Sequence, residues 1–389
     1  MMLAARGAIR ASGAGLPYDA EVEYLESSGT QYIELSFNST TDGFCDFDIT
    51  YQMTALNSSP PFGYRYGGSA RYGIWNGAAG EYYVGADASH SVLIAQNENV
   101  NTLSLRNGQY VDYNGAQTAV GTGTVRSNIG AILFGSVSSS SGATSRSLTS
   151  AKIQAFKLYN VSGVLLFDGI PVRKGTVGYL YDRVSGKLFG NAGTGDFVLG
   201  PDVVPVEWLQ SDATSYINTG IIPDDTYGME VTGYTTQTVD SAWIGTRNNS
   251  NQRCFMGYSP ALGFYYGWNG RQDIQYTTGV WSTASMNLYN SRKNMMDGTE
   301  VGSIAETLEA QNRAIYLFAL TANGTLGLKL KSALITKGSD DVQKLVSIRV
   351  GSGSTWEGAM MDTLTRRIYR NAGTGAFTYG NDLKYPIPA

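Results

Sequence analysis

Few side chains in this sequence could do acid–base, nucleophilic or metal chemistry. His90 is the single histidine. A two-histidine zinc motif is therefore excluded, and a Ser-His-Asp triad could use no other imidazole. His90 sits in Asp87-Ala88-Ser89-His90-Ser91, a polar stretch that reads as a turn with a solvated ring. Cys45 and Cys254 are the two cysteines. They form neither a disulfide framework nor Cys-x-x-Cys metal spacing, and read as small buried apolar residues. Asp46-Phe47-Asp48 is the nearest thing to paired carboxylates. Residues i and i+2 of a strand share one face, with Cα atoms roughly 6.6 Å apart. Gly193-Thr194-Gly195 is followed by Asp196-Phe197-Val198 rather than by a helix with a third glycine. It reads as a turn, not a dinucleotide loop. No phosphate loop or EF-hand pattern occurs. Calcium held by a few carboxylates and carbonyls stays open, and the sequence calls for no cofactor.

Binding needs less chemistry. Sugars present C–H faces and hydroxyl edges, which proteins meet with aromatic platforms and a few directional polar groups. Candidates in the first half are Tyr64, Arg65, Tyr72 and Trp75. In the second half they are Trp243, Arg247, Tyr265, Tyr266 and Trp268. The alternative is that these rings fill a core between two sheets. Arg65 and Arg247 share a Gly-x-Arg setting, which also suits a structural ion pair or a carbonyl clamp.

The elements that must position these residues are strands. Of 389 residues 48 are Gly and 26 Tyr, with aromatics at 12% and charged residues at 15%. Low charge with many aromatics excludes disorder, and the mixture favours strands joined by tight turns. The net charge of −4 offers no basic excess for a phosphate backbone, so nucleic acid is not an expected partner. No run approaches the roughly 18 apolar residues that cross a bilayer, so no membrane insertion is expected. Met1–Ala5 is too short for a signal-peptide core and Arg6 interrupts it. Residues 1–18 show no periodicity and are expected to be a flexible lead.

The chain reads as one unit written twice. Val22-Glu23-Tyr24-Leu25 returns as Val206-Glu207-Trp208-Leu209, and Tyr32-Ile33 as Tyr216-Ile217, both shifted by 184 (206 − 22 and 216 − 32). Gly63-Tyr64-Arg65 matches Gly245-Thr246-Arg247, Arg71 matches Arg253, and Tyr83-Val84-Gly85 matches Tyr265-Tyr266-Gly267, all shifted by 182 (245 − 63). Ala131-Ile132 aligns with Ala314-Ile315, a shift of 183 (314 − 131). Asn191-Ala192-Gly193-Thr194-Gly195 recurs letter for letter at 371–375, a shift of 180 (371 − 191). Trp75-Asn76-Gly77 and Trp268-Asn269-Gly270 break this register and are coincidental turns. A boundary falls at Gly200–Pro205, where two prolines oppose helix and central strand. The division expected is a lead at 1–18, a first domain at 19–201, a Pro-containing linker at 202–205 and a second domain at 206–389.

Gln31–Leu35 and Phe44–Tyr51 alternate with period 2, as do Ser215–Asn218 and Met229–Tyr234. Asn114-Gly115 and Asp297-Gly298 are hairpin dipeptides between strand-like runs. Glu306–Gln311 is the best helical stretch. The whole reads as all-β: two tandem antiparallel β-sandwiches.

The opening Glu23-Tyr24-Leu25-Glu26-Ser27-Ser28-Gly29-Thr30-Gln31-Tyr32-Ile33 resembles a domain of gut bacterial and phage proteins. So do Pro171-Val172-Arg173, the segment Gly178–Phe189, and both Asn-Ala-Gly-Thr-Gly runs. In the second half Asp297–Gly302 and Ile315–Ala319 carry the same likeness. These domains are similar to concanavalin A-like lectin/glucanase (laminin-G-like) jelly rolls, and the resemblance spans nearly all of residues 20–382. Met360-Met361-Asp362-Thr363-Leu364-Thr365 departs from the usual Leu-Tyr-Asp-x-Val-Ser/Thr-Gly. The resemblance implies two-sheet jelly rolls, often with a carbohydrate-binding role. Some relatives hydrolyse glycans with a Glu-x-Asp-x-x-Glu strand, as acid and nucleophile must flank one glycosidic bond. Here no third acid follows Asp48, and the second copy has Gly228 and Glu230 at the paired positions. The expectation is a non-catalytic carbohydrate-binding or adhesion protein, a phage virion component assembled without export. Its partners would be a surface glycan, other structural subunits or a second copy of the chain. A purely architectural module and a glycan-active hydrolase are the alternatives; a bacterial cell surface or cytoplasm is the alternative location.

Overall fold

The computed structural model describes residues 15–387, apart from 36, 38–42, 57–58, 67–69, 126–129, 141–142, 236–239, 250–251, 275, 277, 288–292, 304–307, 309, 322 and 325. Among the described residues there are strands and turns and no helix. The expected helical stretch falls partly outside them, and Leu308, Ala310 and Gln311 within it are irregular.

Each half is a sandwich of a larger and a smaller sheet. The first larger sheet runs Ala20–Val22, Leu165–Lys174, Ser150–Asn160, Phe44–Met53, Val100–Arg106, Tyr110–Tyr113 and Ala116–Ala119, all antiparallel. The second repeats this order with Asp202–Pro205, Asp340–Ser352, Leu326–Lys337, Tyr227–Tyr234, Trp281–Asn287, Lys293–Met296 and Thr299–Ser303. The first smaller sheet runs Ala143–Leu148, Gly135–Ser140, Phe62–Tyr66, Ala70–Asn76, Glu81–Gly85 and Ser91–Ala95, with one parallel pairing, Gly135–Ser140 on Phe62–Tyr66. The second smaller sheet centres on Ser241–Arg247, Arg253–Ser259 and Gly263–Trp268.

Period-2 alternation builds the two cores. Phe47, Ile49, Tyr51 and Met53 point inward against Phe62, Tyr64, Tyr72 and Ile74, with the Phe47 and Phe62 rings 5.0 Å apart. Burying each such side chain contributes about 1.5–3 kcal/mol. The second core gathers Met229, Val231, Trp243, Met256, Tyr266 and Trp268.

Matching hydrogen bonds establish the duplication. Asn191 Oδ1 accepts from the backbone N–H of Tyr32 (3.1 Å) and Gly193 (2.8 Å), while its Nδ2 donates to Gly195 O (2.7 Å). Asn371 does the same with Tyr216 (3.0 Å), Gly373 (2.9 Å) and Gly375 (2.6 Å). These bonds take backbone groups at the strand edge, so the strands expected at 31–35 and 215–218 shorten to Ile33–Glu34 and Ile217–Asn218. The hairpins at Asn114-Gly115 (φ 55° and 86°) and Asp297-Gly298 (φ 50° and 78°) form as expected. Phe134 and Phe318 both take positive φ, 65° and 63°. Each packs on a phenylalanine of the closing segment, Phe197 at 4.8 Å and Phe377 at 4.9 Å.

One alignment is corrected. Leu35 N donates to Ala131 O and Thr219 N to Ile315 O, both at 3.1 Å, so Ala131 is equivalent to Ile315 rather than to Ala314. A one-residue slip would turn every side chain to the other face, which the core forbids.

The segment 202–205 is also corrected: it is a strand rather than a loose linker. It pairs on one side with Ala20–Val22 and on the other with Asp340–Ser352, making the two larger sheets continuous. Pro205 stands at the end of the strand, and the next residue resumes the ladder by donating Val206 N–H to Ser347 O (3.1 Å). Residues 1–14 of the expected lead lie outside the described residues. Its last residue, Tyr18, is buried against Tyr181 and Tyr385 at ring distances of 5.0 and 6.3 Å.

Further contacts cross the seam. Thr50 Oγ1 donates to Thr365 O (2.5 Å), Lys157 Nζ to Leu364 O (2.9 Å), and Arg370 forks onto Glu23 (3.0 and 2.7 Å). The departure from the family pattern at 360–365 leads here. Arg366 takes the left-handed φ of 65° that Gly186 takes at 73° in the first copy. Its guanidinium reaches Glu21 Oε2 at 2.7 Å.

Candidate functional site

The nine aromatic and arginine candidates separate by burial. Tyr64, Tyr72, Trp243, Tyr266 and Trp268 are at most 2% exposed and lie inside the sandwiches. Arg65, Trp75, Arg247 and Tyr265 point the other way, to the outer faces of the smaller sheets. The alternation explains the division: Tyr72 and Ile74 face in, so Arg71, Gly73 and Trp75 face out.

On the first copy's outer face the registers make three rows. Arg65 stands opposite Arg71. Gly63, Gly73 and Gly85 align across three neighbouring strands. Trp75, Tyr83 and Leu93 form the third row. The Trp75 and Tyr83 rings stack at 6.0 Å and 20°, with Trp75 8% and Tyr83 37% exposed. The Arg71 guanidinium lies 5.9 Å from the Trp75 ring. A Cβ at Gly63 would fall 2.7 Å from Ile74 O, and one at Gly73 2.9 Å from Gly63 Cα. The central row therefore cannot carry side chains. It is a row of buried glycines that separates a cationic row from an aromatic row.

The two guanidiniums stand side by side on this face. Burial, and then the neighbouring Arg65 charge, lower the Arg71 pKa from the usual arginine value. Arg71 Nε is buried with no hydrogen-bond partner among the described residues. Two adjacent guanidiniums beside a stacked aromatic pair suit a ligand with an apolar ring face and polar or anionic substituents.

The second copy does not repeat this arrangement. Phe255 stands where Gly73 does, between Gly245 and Gly267. Its ring lies over Gly267, where an added Cβ would come within 2.6 Å of Phe255 Cε1. Tyr265 packs edge-on against it at 5.3 Å and 83°. Gly257 replaces Trp75, and Arg253 Nε donates to Asn269 O at 3.0 Å. The trough is filled from within.

The other chemical candidates are held in structural roles. Asp48 pairs with Arg106 (2.7 Å) and accepts from Tyr159 Oη (2.7 Å). Burial pushes its carboxyl up, but the Arg106 bond and charge, with the Ser104 and Tyr159 hydroxyls, outweigh burial and hold it below the usual carboxylate range. Asp46 accepts from Asn107 N (2.8 Å) and from the Cys45 thiol (3.2 Å). Glu230 occupies the Asp48 position in the second copy, raised by burial and by Asp341. His90 Nδ1 lies 2.9 Å from Asp87 Oδ1, and no nucleophile among the described residues bonds its other nitrogen. The Cys45 thiol is pushed up to about 12, first by burial and then by Asp46; burial also raises that of Cys254. Among the described residues no three His, Cys, Asp or Glu side chains gather as a metal site, and no helix is long and apolar enough to cross a membrane.

Sequence reading missed Tyr83, Arg71 and Leu93 as site residues. Arg71 and Tyr83 were visible as repeat anchors, and the alternation around Tyr72 and Ile74 was the signal that turned them outward.

Fold and site define a class: a tandem pair of largely antiparallel β-sandwiches with arginine and aromatic rows on one outer face. No family model and no curated protein matches the sequence. Among solved structures, the chain is similar to the mouse laminin alpha1 chain, domains LG4-5, at 11% identity and a TM-score of 0.29, covering 100% of both chains. The fold stands on the strand pairing itself.

Proposed function

We propose that this chain is a non-catalytic carbohydrate-binding adhesion protein whose glycan site is the outer trough of the first sandwich. The observation that carries the reading is the outer face on which the Gly63–Gly73–Gly85 row sets Arg65 and Arg71 beside the stacked Trp75 and Tyr83. A sugar ring can stack on the exposed Tyr83 side of the aromatic pair and give its oxygens to the guanidiniums. A binding rather than hydrolytic role is supported by Asp48, whose carboxylate is ion-paired and held deprotonated rather than tuned to donate a proton. The filled second trough supports a scaffolding part for the second sandwich. The resemblance to phage domains supports placement in a virion, where the first sandwich would meet a host-surface glycan and the second would meet other structural subunits.

A glycan array tests the reading. The full chain should bind a restricted set of glycans. Trp75→Ala should weaken that binding about tenfold or more, the scale of a lost stacking contact plus its buried area, measured below the lowered thermal midpoint of the variant, where it is still folded. Binding to no glycan, or binding indifferent to Trp75→Ala, would overturn it.

A further inference from the structure

The seam between the sandwiches has an unoccupied counterpart in the second half. In the first half, Glu21 and Glu23 form a socket that receives Arg366 and Arg370 of the second. The repeat places Pro205 and Glu207 at the same positions, since Glu21 pairs with Val172 and Pro205 with Ile348. There the fold leaves a cavity of about 410 Å³ lined by Pro205, Val206, Trp208, Trp281, Lys331 and Leu383, among others. That volume lies within the roughly 300–1,000 Å³ of small-ligand pockets.

The chemistry has been exchanged along with the occupant. The buried acid that grips Arg366 is a proline here. Trp281 replaces Val100, as the pairings Tyr234–Trp281 and Gln52–Val100 show, and Trp208 replaces Tyr24. Lys331 sits at the strand irregularity that holds Gln154 in the first copy. Lys331 Nζ lies 4.1 Å from the Trp281 ring and Lys329 Nζ 4.1 Å from the Trp208 ring. Glu207 no longer faces an arginine; its Oε2 accepts from Asn381 N (3.3 Å) and Nδ2 (3.2 Å). The lining is two indole walls, the Lys331 ammonium and one tethered carboxylate, with Lys329 stacked on Trp208 outside it. A cationic loop like the one docked in the first half has lost its anchor, and an anion has gained one.

We propose that this cavity is a second ligand site, distinct from the trough, that takes one pyranose ring bearing a carboxylate. The ring's C–H face meets the indole walls, the carboxylate meets Lys331, and a hydroxyl can donate to Glu207. The proposal does not depend on the trough, so either site can fail alone.

The test is a titration of the full chain with oligogalacturonate, oligoglucuronate and sialyl-lactose, against uncharged gluco- and galacto-oligosaccharides, read by tryptophan fluorescence. A saturable change is expected with acidic sugars only. Lys331→Glu should weaken it about tenfold or more, the scale of a charge-assisted hydrogen bond. Trp281→Ala should do likewise. Thermal melts of the variants distinguish lost binding from lost fold, and Lys331→Gln gives a milder second variant. No response to acidic sugars would overturn the proposal, as would an equal response to uncharged ones. Loss with Trp75→Ala in place of Lys331→Glu would move the binding to the trough. Binding of polyglutamate as tightly as of acidic sugars would make the site a socket for an acidic protein segment.

Discussion

Arg366→Gly sets two effects of known sign against each other. Arg366 holds a left-handed backbone, φ 65°, where the first copy has glycine. A side chain there costs roughly 1–2 kcal/mol, which glycine would return. Against this stands the pair with Glu21, whose two side chains are 4% and 0% exposed at 2.7 Å. Glu21 keeps only Tyr18 Oη at 3.3 Å and Ile387 N at 3.0 Å, both on its other oxygen. Removing one partner of such a buried pair costs about 3–5 kcal/mol, because the remaining charge is left dry. The net expectation is a destabilisation of roughly 1–4 kcal/mol. Urea unfolding of the full chain, with Glu21→Gln and the double variant completing a cycle, measures it. Glu21→Gln should cancel most of the penalty of Arg366→Gly. If Arg366→Gly proves as stable as the parent or more so, the pair contributes no more than the backbone strain it offsets and the reasoning fails.

Asn191→Ala removes three hydrogen bonds from the closing turn of the first sandwich and should cost about 2–3 kcal/mol; Asn371→Ala should do the same to the second, and equal calorimetric losses would check the equivalence. Asp48 titrates below the usual carboxylate range in the folded chain. Its stabilisation is therefore present above the unfolded value of about 4 and lost as pH falls through the lowered folded value, so Asp48→Asn should flatten the acid side of the stability curve. Phe255→Ala should uncover the second trough at a cost of about 3–5 kcal/mol, read by thermal melt, without creating glycan binding, because Gly257 supplies no indole.

What was legible in the sequence was local or repeated. The Asn-Gly and Asp-Gly hairpins declare themselves because only certain residues tolerate positive φ in sequence. The two Asn-Ala-Gly-Thr-Gly runs marked closures whose bonds match atom for atom. Trp75 and Trp268 share a local motif, yet one lies on an outer face and the other in a core; the repeat register already separated them. The strand at 202–205 was hidden because its partners lie some 150–180 positions away, and no local pattern reports a pairing at that separation. Arg366 was visible only as a departure from a motif. Its reason, Glu21, stands 345 positions earlier (366 − 21).

The short stretch Asp202–Pro205 has a mechanical consequence. A chain element hydrogen-bonded along both edges cannot serve as a swivel, so rotating one sandwich against the other would mean breaking the ladder on one side. Force or torque applied at one end of the molecule would pass through interstrand hydrogen bonds loaded in shear rather than be absorbed by a slack tether. A shaft or spike made from such units would keep its bearing under load.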